Sequence, residues 1–271
     1  MTADGAPGLS PLRARRLAAQ AWVEVHALVD LQLSPLGLAA IEALSPRPGD
    51  AVVDIGCGAG QSVLQLADRV GPQGRVIGAD IARPLLDLAR ARAAGRGQVD
   101  FVEGDATVLA LPDATIDAVF SRFGVMGFAD PAAAFANFHR MLRPGGRLAF
   151  VCWRSLAENE LDVLPLRVAG LEDRLDPTPF SFEDPAYVRA LLEAAGFGEI
   201  NIEAHDTAVS SGGLDAMTSV LLKVGPLGKI LRETPGLRAA AEPKVRAALA
   251  ARGDSAQVAL NAATWVVTAR A

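Results

Sequence analysis

Residues 51–60 read AVVDIGCGAG, an apolar run with one acid that opens into three glycines. The apolar residues 51–55 predict a buried strand. The glycines that follow predict a tight turn, because glycine reaches backbone conformations that other residues avoid. A helix over residues 61–70 comes next, and Gly71-Pro72 ends it. A strand, a glycine turn and a helix in this order are typical of the first unit of a parallel α/β sheet.

The same alternation continues for nearly a hundred residues. Strands are predicted at residues 75–79, 99–103, 116–121 and 147–153. Helices are predicted at residues 81–94 and 130–142. These strands are apolar almost throughout, which indicates a parallel sheet covered by helices on both faces.

The chain outside this core is predicted to supply a cap and the last strands. A first helix is expected to end at residue 33, and Ser34-Pro35 is interpreted as the N-cap and first turn of a second helix. After residue 153 a polar segment is predicted at residues 154–182, followed by a helix at 184–195 and a strand at 197–204. Residues 207–259 are predicted to contain two helical stretches, and residues 263–269 the final strand.

The predicted organisation is therefore an N-terminal tail and cap helix followed by one α/β domain. The tail and helix occupy residues 1–33, and the domain occupies residues 34–271. Insertions at about residues 154–182 and 207–259 form the rest of the cap.

Composition excludes several classes of protein. The chain has 271 residues, 51% hydrophobic and 21% charged, with a formal net charge of −5. It can bury a sizeable core, and it lacks the basic balance of a nucleic-acid-binding protein. Cys57 and Cys152 are too few for a disulfide framework or a clustered zinc site, so no metal is expected. With no apolar run of 18 residues and no secretory leader, we predict a cytoplasmic protein without a membrane span.

Acids stand where the first three strands end. In an open parallel sheet, ligands bind at the carboxyl ends of the strands. Asp54 precedes the glycine turn, Asp80 closes the second strand, and Asp105 follows the third. A carboxylate offers two acceptor oxygens for vicinal ribose hydroxyls, so the pattern predicts an adenosine-bearing ligand. A dinucleotide stays an alternative, although Gln61 occupies the position at which the dinucleotide-binding motif has glycine or alanine.

Four motifs in this region carry a family resemblance. AVVDIGCGAG, VIGADI, VEGDATVLALPDATIDAVFSRF and LRPGGRLAFVCW occur in this order between residues 51 and 153. The set resembles the class I S-adenosylmethionine-dependent methyltransferases, and within them it is similar to the ubiquinone/menaquinone C-methyltransferases. The resemblance implies S-adenosylmethionine as cofactor and S-adenosylhomocysteine as product. It also implies a Rossmann-like, mostly parallel seven-stranded sheet whose last strand is antiparallel, with helices on both faces and a helical cap.

The resemblance also implies which residues hold the cofactor. They are Asp54, Gly56, Gly58, Gly60, Asp80, Ile81, Asp105, Ala106, Ser121 and Arg122. Those at the first strand end would surround the methionine part, and those at the fourth would lie beneath it. Asp80 would hold the ribose hydroxyls, with Ile81 packing on the adenine. Asp105 would accept a hydrogen bond from the adenine amino group.

The acceptor side is less defined by the sequence. A general base is needed only if the acceptor loses a proton, and His26 and His205 are the candidates, each with an alternative as an ordinary half-buried histidine. The residues interpreted as either substrate pocket or core are Trp22, Phe123, Phe128 and Trp153. As pocket residues they favour an apolar or aromatic acceptor. The apolar stretch at residues 221–227 is interpreted as cap packing or a homodimer face.

The sequence therefore predicts an S-adenosylmethionine-dependent methyltransferase that acts on a small, apolar or aromatic molecule by in-line displacement, with no nucleic-acid partner. Two alternatives stay open. One is an NAD(P)-dependent oxidoreductase, and the other is a non-catalytic subunit that binds the cofactor. The acceptor atom is not predicted, because one fold supports many chemistries.

Overall fold

Seven strands form one sheet at the centre of the described residues, 11–271, of this computed structural model. The strands are β1 Ala51–Ile55, β2 Arg75–Asp80, β3 Val99–Glu103, β4 Ile116–Arg122, β5 Leu142–Trp153, β6 Gly198–Val209 and β7 Leu260–Arg270. Their spatial order is β3-β2-β1-β4-β5-β7-β6. β1 to β5 pair in parallel, and β7 runs antiparallel to both β5 and β6. The predicted sheet, including its antiparallel last strand, is confirmed.

Nine α-helices flank and cap this sheet within the described residues. They are α1 Pro11–Leu44, α2 Gln61–Val70, α3 Arg83–Arg92, α4 Pro131–Met141, α5 Glu160–Ala169, α6 Pro185–Ala194, α7 Leu214–Leu221, α8 Gly225–Glu233 and α9 Arg238–Ala250. The apolar stretch at residues 221–227 is buried inside the cap, which decides between its two interpretations in favour of cap packing. The predicted tail falls mostly on residues 1–10, which lie outside the described residues.

The predicted break at Ser34-Pro35 is wrong, because α1 continues through Pro35. Leu33 and Leu36 on either side are buried in the core, so packing offsets the backbone hydrogen bond that proline cannot make. The hydroxyl of Ser34 does not act as a cap and accepts a hydrogen bond from Gln65 Nε2 at 2.9 Å. The predicted boundary between residues 33 and 34 therefore falls inside one helix.

The segments after β5 also differ from the prediction. Residues 154–182 contain α5 and three short 3₁₀ turns where a polar segment without a helix was expected. Residues 207–259 contain three helices where two were expected, and β6 extends into them as far as Val209. β6 lies at the sheet edge and its residues are mostly exposed or half-exposed, so its polar end lacks the apolar pattern of the inner strands.

Helix α1 links the sheet to the cap. It contacts β4, β5 and β7 and also α2, α3 and α7. By length and composition, residues Arg13–Leu44 of this helix are apolar enough to cross a membrane, but half of the most apolar window is buried inside the protein. This is the placement of a helix that belongs to a protein core.

Candidate cofactor and acceptor site

The glycine turn after β1 has one position that faces open space. Gly56, Gly58 and Gly60 all have positive φ, at 68°, 54° and 82°. A Cβ atom on Gly56 would lie 2.6 Å from the Cα of Gly124, and one on Gly60 would lie 2.9 Å from the Cβ of Ala89. A Cβ on Gly58 would meet nothing within 4 Å. Packing inside the protein therefore requires the outer two glycines, whereas Gly58 leaves room for a ligand.

The carboxylate of Asp80 faces this same turn. Its Oδ2 accepts a hydrogen bond from the Gly58 amide at 2.9 Å, and its Oδ1 accepts one from the Ala82 amide at 2.8 Å. Burial raises the pKa of Asp80, and these two backbone hydrogen bonds oppose that shift. A carboxylate oxygen can accept a second hydrogen bond, so both atoms retain capacity for a pair of hydroxyls.

The strand ends beside Asp80 provide an apolar side chain and a further acid. Ile81 is 61% exposed, which is unusual for isoleucine. The Gly104 amide bonds the Asp80 carbonyl at 3.1 Å, which brings the loop after β3 to the same edge. Asp105 is exposed, and the side-chain and backbone hydrogen bonds from Thr107 lower its pKa, so it stays a hydrogen-bond acceptor. An exposed apolar surface flanked by two carboxylates suits an adenosine.

Ser121, at the end of β4, has a structural use. Its hydroxyl donates to the carbonyl of Ile55 at 2.7 Å and accepts from the amide of Gly124 at 3.1 Å. The side chain is fully buried. Ser121 therefore joins the ends of β1 and β4 directly beneath the glycine turn.

Asp54 is a buried acid under the turn. Its Oδ2 accepts from the Ser62 hydroxyl at 2.5 Å, and its Oδ1 is buried without a hydrogen-bond partner. Burial raises the pKa of Asp54 to about 7, although the bond from Ser62 and the charge of Arg122 oppose the shift. An orphaned acceptor at this depth fits the positively charged amino end of S-adenosylmethionine.

Sequence reasoning missed a charged network between the turn and α1. Asp30 Oδ2 lies 2.6 Å from Arg92 Nη2, and its Oδ1 lies 3.9 Å from Arg122 Nη2. The side chain of Gln61, the first residue of α2, bonds both Arg122 and the carbonyl of Asp30. The available signal was an acid within the mostly apolar stretch ALVDLQL of α1.

Two predicted residues share the face of α1 that carries Asp30. Trp22, His26 and Asp30 follow each other at intervals of four residues, which places them on one helical face. Nδ1 of His26 is 2.8 Å from the carbonyl of Val23. Because a carbonyl only accepts, that contact requires a proton on Nδ1, which leaves Nε2 of the neutral ring as an acceptor.

His205 lies on the edge strand. The strand pairing places His205 opposite Thr264, and Thr264 opposite Trp153. Directly paired residues share a face of the sheet, so the histidine is two strands, roughly 10 Å, from the tryptophan. It is more remote from the glycine turn than His26, because β4, β5 and β7 separate β6 from β1.

Of the predicted aromatic residues, the structure brings two together at the strand ends. Phe123 and Trp153 stack with ring centroids 4.1 Å apart and an interplanar angle of 20°. Phe123 has a φ of 60°, a strained value for a bulky residue and one typical of functional positions. Phe128 instead meets the buried Phe138 edge-on at 6.0 Å. Trp22 is half-buried against the core.

The cap holds an acid that sequence reasoning also missed. Asp162, in the first turn of α5, is 6% exposed. Burial alone raises its pKa to about 7. Its nearest neighbours include the start of α8, where a Cβ on Gly225 would lie 3.2 Å from Asp162 Oδ1. A single acid in a polar segment gave no signal of this burial.

The core of the chain matches a known family model. Residues 53–150 match a model described as a methyltransferase domain. The match begins inside β1 and ends inside β5, so it contains every strand end described above except that of β5.

Curated relatives agree with this match. The chain is 37% identical over 169 residues to nocamycin O-methyltransferase of Saccharothrix syringae, across 60% of this chain and 59% of that protein. It is 33% identical over 174 residues to demethylmenaquinone methyltransferase of Thermus thermophilus, across 58% of this chain and 79% of that protein. The chain thus spans less than two thirds of the first relative's length.

Solved structures share the fold. The YcgJ protein of Bacillus subtilis superposes with a TM-score of 0.58 at 20% identity, across 90% of this chain and 97% of that chain. The sheet order, the family model and the demethylmenaquinone methyltransferase relative agree with one another. The chain belongs to the class I S-adenosylmethionine-dependent methyltransferases, of the ubiquinone/menaquinone C-methyltransferase type.

Proposed function

We propose that this protein transfers a methyl group from S-adenosylmethionine to a small aromatic acceptor. The observation that carries the proposal is the open space at Gly58, whose amide bonds the carboxylate of Asp80, the residue next to the exposed Ile81. The family assignment decides against the oxidoreductase alternative. A cytoplasmic location is part of the same proposal and is supported by two free, buried cysteines.

The strand-end residues fit the cofactor in three parts. Asp80 would hold the ribose hydroxyls, Ile81 would pack on the adenine, and Asp105 would accept from its amino group. The buried, unpaired oxygen of Asp54 supports a positively charged group nearby. When bound, S-adenosylmethionine supplies an electrophilic methyl group on its sulfonium. Because this cofactor contains no phosphate, its site needs no phosphate-binding loop.

The aromatic pair adjoins this site and supports a planar acceptor. Phe123 stacks on Trp153, and its neighbour Gly124 is in close contact with Gly56 of the glycine turn. Rings that stack with an acceptor orient it and exclude water. Orientation of reactants can supply up to about 7–11 kcal/mol of a barrier, so positioning can account for much of the rate.

His26 is the residue that we propose takes a proton where the acceptor loses one. It lies one helical turn from Asp30, which contacts the residues around the glycine turn, and the contact of its Nδ1 with the Val23 carbonyl leaves Nε2 as the nitrogen that can accept a proton in the neutral ring. A positioned base of this kind contributes about 10²–10⁴-fold. His205 is the second candidate because it shares a row of the sheet with Trp153.

The test is turnover with a defined panel of acceptors. The purified protein is incubated with S-adenosylmethionine and phenols, naphthols or naphthohydroquinones, and S-adenosylhomocysteine is quantified by mass spectrometry. We expect saturable product formation with at least one aromatic acceptor and none with matched cyclohexanols. His26→Gln should lower kcat without changing cofactor affinity. Binding of the cofactor with only slow, acceptor-independent breakdown would contradict the proposal and favour the non-catalytic subunit.

A further inference from the structure

Asp30 of α1 is the centre of a charged network that reaches both sides of Gly60. Its carboxylate faces two guanidinium groups, those of Arg92 from α3 and Arg122 from β4. The side chains of Asp30 and Arg122 are only 13% and 12% exposed, and that of Arg92 is 24% exposed. A pair at this depth is weakly screened by solvent, so its geometry matters more than that of a surface ion pair.

Each arginine also holds one of the two residues next to Gly60. Arg92 Nη1 donates to the carbonyl of Ala59 at 2.8 Å, and Arg122 Nη1 donates to the side-chain oxygen of Gln61 at 2.5 Å. Ala59 and Gln61 flank Gly60. The turn is therefore fixed from the α1 side by these contacts, while its other side offers the Gly58 amide to Asp80.

The same network fixes α1. The Gln61 amide donates to the backbone carbonyl of Asp30 at 3.2 Å, and Arg122 packs against the helix at Gly37, where a Cβ would lie 2.7 Å from its Cδ. Removal of the Asp30 charge would leave two partly buried cations facing each other without their shared anion. Both the helix and the turn would then lose a common support.

We propose that Asp30 is a positioning residue that couples the docking of α1 to the order of the glycine turn, so that cofactor binding and helix docking stabilise each other. Coupling of this kind is reciprocal. A cofactor that orders the turn should protect α1, and an undocked α1 should weaken cofactor binding. The inference rests on the proposed cofactor site.

A second buried pair provides a matched control. Asp50, just before β1, pairs with Arg147 of β5, and their side chains are 7% and 9% exposed. This pair also joins two elements through a carboxylate and a guanidinium, but it lies at the amino ends of the strands, away from the glycine turn. Asp50→Asn therefore reports the general cost of losing a buried ion pair.

The test compares Asp30→Asn with Asp50→Asn in two measurements. Calorimetry gives the Kd for S-adenosylhomocysteine, and hydrogen exchange gives the protection of amides in residues 13–33 with and without that ligand. In the wild type we expect the ligand to slow exchange in this segment. Asp30→Asn should raise the Kd about tenfold and abolish this ligand-dependent protection. Asp50→Asn should lower the thermal stability while keeping the Kd within about twofold and the protection intact.

The outcomes separate the inference from the proposed function. If the wild type does not bind S-adenosylhomocysteine, the proposed function itself fails. If the wild type binds it and Asp30→Asn binds equally well, or if Asp50→Asn weakens binding as much, only the coupling is overturned. Should Asp30→Asn fail to fold, Arg92→Gln replaces it, because it removes the contacts to Asp30 and Ala59 from a more exposed position and carries the same expectation.

Discussion

The ends of β1, β2 and β3, here called the cofactor edge, and the cap each hold an acid whose pKa is raised by burial, but only the first acid has hydrogen bonds that oppose the shift. At the cofactor edge, Asp80 is bonded by two backbone amides, one of them that of Gly58, whose Cβ position is open. In the cap, Asp162 is buried with desolvation as the cause of its pKa shift and no cation to oppose it. We propose that the first acid binds the cofactor, whereas the second lowers the stability of the ionised protein. Backbone hydrogen bonds therefore offset part of the cost of burying Asp80, whereas no such bond from the described residues offsets the burial of Asp162.

The largest effect is expected from closing the open space at the turn. Gly58→Ala should weaken binding of S-adenosylhomocysteine about a hundredfold, because the new Cβ enters space that is free of protein atoms and that we propose the cofactor fills. The matched control is Gly170→Ala at the end of α5, which also has positive φ and no neighbour within 4 Å of a Cβ. Both variants should lose about 1–2 kcal/mol of stability from the left-handed backbone. Equal ligand affinity in the two variants would show that Gly58 does not face the cofactor.

The next effect is the pH dependence of stability in the cap. The folded pKa of Asp162, about 7, exceeds its unfolded value of about 3.9, so the folded state binds the proton more tightly. Its stabilising contribution is complete below pH 4 and is lost as the pH rises towards 7. In the wild type, this group should lower the free energy of unfolding by about 2 kcal/mol between pH 5 and 7. Asp162→Asn should remove that pH dependence, which urea unfolding at several pH values measures. Burial also raises the pKa of Asp54, so the free energy of unfolding of the variant keeps some dependence on pH.

Asp176 is the control for that measurement, because it lies in the same cap and its pKa is lowered instead of raised. Burial favours its neutral form, but hydrogen bonds from Lys229 and Thr178 outweigh this and hold its pKa at about 2. Asp176→Asn should therefore lose stability at neutral pH. A profile for Asp162→Asn that runs parallel to the wild type would contradict the burial of the ionisable group.

The smallest effect is expected at the aromatic pair that adjoins the cofactor edge. Phe123→Leu should lower kcat/KM for an aromatic acceptor about tenfold, because the stack with Trp153 is lost, and should leave the Kd for S-adenosylhomocysteine unchanged. Phe128→Leu is the control from the same loop, since its ring meets Phe138 in the core. It should lower the melting temperature and leave kcat/KM near the wild-type value. The opposite pattern would place the acceptor beside Phe128.

Local signals were sufficient at the cofactor edge. The bounds of β1, α2 and β3 agree with the prediction, because apolar strands, glycines and Gly-Pro breaks act within a few residues. Asp80 was predicted to face a ligand because strand ends converge in a parallel sheet. The hydrogen bond between the Gly58 amide and Asp80 follows from the same convergence, because β1 and β2 are neighbouring parallel strands.

Long-range packing decided the rest. Pro35 stays helical because the flanking apolar residues are buried by the sheet, which local propensity does not show. The end of β6 forms because β7, some fifty residues later, pairs with it. The partners of Asp30 come from α3, β4 and α2, so no spacing along the chain could have revealed them.

Calorimetric titration with S-adenosylhomocysteine shows whether the ends of β1, β2 and β3 hold the adenosyl part of the cofactor. We expect this placement of the cofactor to give a micromolar Kd for the wild type and a Kd at least tenfold higher for Asp80→Ala, which loses the only carboxylate bonded to the Gly58 amide among the described residues. Absence of binding to the wild type, or equal binding by Asp80→Ala, would contradict it.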